Sequence, residues 1–179
     1  TGGIAKSGTR IFTWHTARGD LLCVDIAANG GAGEPCSSGG LIDFGASLTD
    51  VSSTGNRWRP LVMEWDGRIY GNGGRYAKAI CVVALTGLPC TGWTNARTIT
   101  AKSTHIFKLP DGQGGVAGVC FSSLDTARTC FDENGVDRTS YFSTFTGQSI
   151  TITFNQNGNV AIYSGDTDSF KYYNETGET

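Results

Sequence analysis

Ser149-Ile150-Thr151-Ile152-Thr153-Phe154, then Asn155-Gln156-Asn157-Gly158, then Asn159-Val160-Ala161-Ile162-Tyr163: two runs of alternating residues flank a run of turn formers. A period of two is the strand period, because successive side chains point to opposite faces of a sheet. The spacing predicts a hairpin with Ile150, Ile152, Phe154, Val160 and Ile162 on the core face. Ser149, Thr151 and Thr153 then fall on the other face. Residues 61–70 repeat the argument with a tighter turn. Asp66-Gly67 separates Leu61-Val62-Met63-Glu64-Trp65 from Arg68-Ile69-Tyr70. That dipeptide suits a type I′ turn, which needs positive φ at both central residues.

Around these two anchors, weaker strand signals cover residues 11–16, 21–26, 78–85, 104–109, 116–122, 141–145 and 169–173. Helical signals are slight: residues 95–102 form a short candidate, and residues 11–24 can be read as half-helical. Many short strands with turn signals between them predict a mainly β chain. The expected architecture is one secreted β-domain over residues 1–179, an antiparallel sheet or sandwich with long Gly-rich loops, three disulfides and little helix. The longest loop-like stretch, residues 27–56, is tied in its middle by Cys36.

Charged residues make up 17% of the 179 and the net charge is −2. Such a surface gives no electrostatic reason to expect nucleic acid or an anionic membrane as partner. The 26 glycines cluster near 30–31, 39–40, 71–74 and 112–115 instead of following a fixed period. Collagen and solenoid repeats are excluded on that pattern, and long loops are implied. No apolar run approaches the ~18 residues of a membrane-spanning helix.

Cys23, Cys36, Cys81, Cys90, Cys120 and Cys130 are even in number, with no C-x-x-C and no Cys/His spacing suited to zinc. Disulfides in an oxidising compartment, extracellular or at the cell surface, follow from that count. Fifteen connectivities are open to six cysteines. Sequential pairing, 23–36, 81–90 and 120–130, is favoured because each pair brackets a short Gly- or turn-containing segment.

Chemistry-bearing residues are few. His15 and His105 each lie in a strand-like segment without a partner at metal-ligand spacing, and no G-x-S-x-G elbow is present. Glu64, between Met63 and Trp65, could serve a glycan hydrolase, with two carboxylates flanking the scissile bond. The alternation instead makes it an outward-facing strand residue. Trp58, Trp65, Tyr70 and Trp93 are candidate stacking platforms for a sugar ring. Asp132-Glu133-Asn134-Gly135-Val136-Asp137 and Asp166-Thr167-Asp168 are oxygen-rich and could suit calcium. The first lacks EF-hand spacing and reads as a turn, so no cofactor or metal is expected. Arg18-Gly19-Asp20 matches an integrin-type tripeptide, and Asn174-Glu175-Thr176 is a glycosylation sequon.

Two stretches resemble the soluble head of minor type IV pilins and pseudopilins. One is Ala17-Arg18 followed by Leu21-Leu22-Cys23-Val24 and a second cysteine at Cys36; the other is the run from Ile150 to Gly158. The long hydrophobic helix of that family does not occur within these residues. The resemblance implies a pilus subunit. Together with low charge and Thr-rich strand faces, it predicts an extracellular structural or adhesive domain: a filament subunit or surface adhesin without catalytic activity. Its partners would be other copies of itself, a surface or a glycan. The rival expectations are a glycan-binding module and a small secreted hydrolase using Glu64.

Overall fold

The computed structural model describes residues 3–15, 20–36, 41–42, 61–72, 78–93, 96–99, 105–110, 116–122, 128–142, 149–154, 160–164, 169–174 and 177–178. The chain is mainly β and packs as two compact units, Thr1–Thr98 and Ile99–Thr179. All strand pairs are antiparallel, and each unit holds two meander sheets. In the first unit, β1 (Ile4–Ser7), β2 (Arg10–His15), β3 (Asp20–Asp25) and β4 (Glu34–Pro35) form one sheet, with β5 (Leu41–Ile42) also on β3. The other is β6 (Val62–Trp65), β7 (Arg68–Asn72), β8 (Lys78–Val83) and β9 (Arg97–Thr98). In the second unit, β10 (His105–Pro110), β11 (Val116–Ser122) and β12 (Arg128–Asp132) form a third sheet. β13 (Ser149–Phe154), β14 (Val160–Ser164), β15 (Ser169–Asn174) and β16 (Gly177–Glu178) form the fourth.

The four sheets are copies of one pattern, and register shows it residue by residue. In the first sheet Phe12 pairs with Cys23, Ile11 with Val24, and Val24 again with Pro35. The second sheet repeats this with Tyr70 and Cys81, Ile69 and Val82, and a bridge from Val82 to Pro89. In the third, Cys120 pairs with Cys130, Val119 with Phe131, and Phe131 bridges Asp137. In the fourth, Ala161 pairs with Tyr172, Val160 with Tyr173, and Tyr173 with Glu178. The backbone bonds that close the first three meanders coincide too. Cys36 N–H donates to Cys23 C=O at 3.0 Å, Cys90 to Cys81 at 3.0 Å, and Arg138 to Cys130 at 2.7 Å.

The disulfides follow this repeat. Cys23–Cys36 and Cys81–Cys90 occupy equivalent places, joining the third strand to the residue after the Pro bridge. In the third meander Arg138 stands where that second cysteine would be. Cys130 bonds instead to Cys120, directly opposite on the neighbouring strand at a Cα separation of 4.1 Å. The expected sequential pairing is therefore what forms, and no described cysteine is free.

Within the first unit the two sheets pack face to face. Ala5, Phe12, Leu21 and Cys23 from one meet Ile69, Ile80, Val82 and Ala84 from the other, all buried in one cluster. Each large side chain removed from water this way contributes roughly 1.5–3 kcal/mol. The faces in contact are unlike. The first sheet presents the side carrying its cysteine, and the second the side carrying Val82. Gly3 fits the start of this seam, because a Cβ there would stand 2.7 Å from the Val62 nitrogen.

Local expectations fare unevenly. Asp66 and Gly67 have φ of 50° and 68°, as a type I′ turn requires. Ile152 pairs with Ile162 and Phe154 with Val160, in the register the alternation dictates, although the ladder shifts between Ser149 and Thr151. The strand expected at 141–145 is corrected at its start: Thr139–Phe142 is a 3₁₀ turn, held from the Asp137 carboxylate, which accepts the Thr139 N–H at 2.7 Å, and residues 143–145 lie outside the described residues. The half-helical reading of residues 11–24 is also overturned, by the β2–β3 pairing. Within the helix candidate at 95–102, Arg97–Thr98 pairs with β8 as strand.

Candidate functional site

The turn ends of the first two meanders lie side by side and enclose a cleft of about 390 Å³. Ser7, Gly8, Thr9 and Arg10 line it from the β1–β2 turn, Asp25 from the end of β3, Gly67 from the β6–β7 turn, and Ala84 and Leu85 from the turn after β8. Positive φ at Gly8 (57°) and Gly67 (68°) bends both hairpins tightly, and a Cβ on either glycine would meet only open space. The cleft is thus framed by backbone.

Arg10 is its central polar group. Strand register sets it opposite Asp25, and Nε lies 3.6 Å from the carboxylate. The guanidinium also donates to the Ala84 carbonyl at 2.9 Å and to the Leu85 carbonyl. It therefore ties the first meander to the second. The Thr9 hydroxyl, the Ala27 N–H at 3.1 Å and the Arg10 charge hold the Asp25 carboxyl below its ordinary range. Glu64 accepts the Gly67 N–H at 3.0 Å and the Ser7 hydroxyl at 3.4 Å, so it too spans the two meanders. Each of these charged groups holds turn backbone or a neighbouring meander, and the Arg10–Asp25 pair is neutral as a unit.

The candidate sugar platforms are partly brought together. Trp65 stacks on Tyr70 with centroids 5.9 Å apart, and Tyr70 meets Trp93 edge-on at 5.9 Å. Tyr70 and Trp93 are fully buried, so their ring faces are occupied by protein and they act as core. Trp65 is half-buried, and Trp58 lies outside the described residues. His15 and His105 stand on β2 and β10. In the first oxygen-rich loop Asp132 Oδ1 accepts the Asn134 and Val136 N–H groups at 3.0 and 2.9 Å, and Oδ2 meets Arg138 at 3.2 Å. It is built as a turn. Residues 165–168 lie outside the described residues, as do Arg18 and Gly19 of the tripeptide, Ala17, Arg18 and residues 155–158 of the pilin-like stretches, and 175–176 of the sequon. Among the described residues no three His, Cys, Asp or Glu side chains group as metal ligands. None of the described helices is long and apolar enough to cross a membrane.

Arg10, Asp25 and Ser7 escape sequence reasoning aimed at motifs. For Arg10 the signal is internal: Arg10-Ile11-Phe12, Cys23-Val24 and Pro35-Cys36 recur as Arg68-Ile69-Tyr70, Cys81-Val82 and Pro89-Cys90, whereas Asp25 and Ser7 have no counterpart in the repeat, Val83 and Trp65 standing in their places. Comparison of the sequence with protein-family models and with characterised proteins returns no match.

Proposed function

We propose that this chain is an extracellular structural or adhesive domain, a filament subunit or surface adhesin, that acts by association and not by catalysis. The observation that carries this reading is the use made of the polar groups at the cleft. Arg10, Asp25 and Glu64 are spent on turn backbone and on holding one meander to the next. A hydrolytic site needs carboxylates aimed at a substrate bond with their ionisation set apart from each other. Three disulfides within single meanders suit an oxidising environment, where such a scaffold must keep its shape. The test is a panel of polysaccharide and peptide substrates assayed for turnover beside a binding screen on glycans and matrix surfaces. Binding or self-association without turnover is expected. Turnover that disappears in Glu64→Gln or Asp25→Asn would replace this reading with an enzymatic one.

A further inference from the structure

The repeat has two unlike faces, and the first meander leaves one of them partly open, with Ile11 and Leu22 half-buried and Ile4, Val24 and Ile26 exposed. In the second meander Ile69, Ile80, Val82 and Ala84 are buried against the first. Their register equivalents in the first meander are Ile11, Leu22, Val24 and Ile26. The last match is confirmed by backbone bonding, Ile26 N–H to Thr9 C=O at 2.9 Å and Ala84 N–H to Gly67 C=O at 2.8 Å. Val82 is 0% exposed whereas Val24 is 40% exposed; Ala84 is 4% exposed and Ile26 39%. Ile4, equivalent to the core-packed Val62, is 71% exposed. An apolar face whose counterpart is core elsewhere in the same chain is an interface without its second half.

The structure of the internal seam says what covers it. A Val-type face is covered in this fold by the opposite, Cys-type face of another meander. The last meander carries such a face, and on it Phe170 stands where the buried Leu21 stands in the first: Leu21 pairs with Trp14, and Phe170 with Tyr163. Leu21 is 0% exposed; Phe170 is 52% exposed. We propose that the exposed Ile4, Val24 and Ile26 face docks the last meander, β13–β16, of a second copy of this chain. The joint continues the internal seam between the first two meanders. Because the surfaces are unlike, association is head-to-tail, and the assembly, whatever its length, keeps one open face of each kind. This inference rests on the structural reading above and names its partner.

Sedimentation velocity of the full chain over a concentration series tests it. The wild type should form dimers and longer species as concentration rises. Val24→Asp with Ile26→Asp, and separately Phe170→Asp, should each weaken association at least about tenfold. Circular dichroism checks that both remain folded, and Val24→Thr and Phe170→Thr serve as milder variants of each face. Mixing the two Asp variants should restore a dimer and nothing larger, since one intact face of each kind remains in the pair. A wild type that stays monomeric, variants that associate like wild type, or a mixture without dimer would each overturn the proposal. None of those results bears on the non-catalytic reading, which turnover assays decide separately.

Discussion

Val24 and Val82 hold one position of the repeat in two environments, so replacing each with Ala measures the difference between a covered and an uncovered face. Val82 is fully buried in the seam between the first two meanders. Val→Ala removes two carbons, worth about 1.6 kcal/mol of transfer free energy at ~0.8 kcal/mol each. The cavity left between two disulfide-bonded sheets adds up to about 1 kcal/mol, at ~24 cal/mol per Å³ of unrelaxed volume. Val82→Ala should therefore cost roughly 2–3 kcal/mol. Val24 is already 40% exposed and closes no cavity, so Val24→Ala should cost under about 1 kcal/mol in the monomer. Equilibrium urea unfolding, followed through the Trp65 and Trp93 fluorescence, reads both numbers when slopes are unchanged. At high protein concentration the Val24 cost should grow, because the native state is then stabilised by association through that face. Equal costs at low concentration would refute the reasoning, since they would mean that the Val24 face is covered within one chain.

Replacing Cys81 and Cys90 together with Ala opens a loop of sequence separation 9 and should cost about 2.6 kcal/mol on chain entropy; urea midpoints check it, and no loss would show that the turn holds without its staple. Asp25 is held ionised by Thr9, Ala27 and Arg10, so its contribution is complete above the ordinary carboxylate value of ~3.9 and is lost as pH falls through the lowered folded value. Asp25→Asn should flatten that acid limb of the stability profile, and an unchanged limb would remove Asp25 from the clamp. Gly118→Ala should be among the costliest single changes, about 3 kcal/mol or more. Its Cβ would overlap the Phe131 carbonyl and stand 2.8 Å from the Asp132 Cα; a melting temperature within a degree of wild type would contradict the tight β11–β12 approach.

The parts of this fold legible in the sequence are those set by neighbours in the chain. Asp66-Gly67 specifies its turn because two positive φ values are cheap only for such residues. Cysteine pairing was legible for a related reason, since each loop is short. Strands β1, β4, β5, β9, β12 and β16 were not expected: most are two residues long and exist because a neighbouring strand already offers its edge, which no local period records. Tyr141 and Phe142 misled as aromatic strand formers, whereas Asp137 and Thr139 decide the backbone there by holding a 3₁₀ turn. Trp93 and Tyr70 looked like ligand platforms because composition cannot distinguish a ring on the surface from one in the core. Of the site, Glu64 was legible as a strand carboxylate, Arg10 only as part of the repeat, and Asp25 and Ser7 not at all. Loops of unequal length between equivalent strands remove any fixed period, leaving a few residues such as Arg10 and Arg68 to carry the signal.

The polarity of that repeat constrains how copies can join. A two-fold dimer would set the exposed Ile4, Val24 and Ile26 surface against itself and leave the exposed Phe170 outside the joint. Within the chain the seam joins unlike faces, and the guanidinium of the first meander reaches across it to the Ala84 and Leu85 carbonyls of the second. Head-to-tail packing reproduces that relation; face-to-self packing does not. A joint of two unlike apolar faces is one that opens and closes with concentration, and a net charge of only −2 does little to oppose its closing.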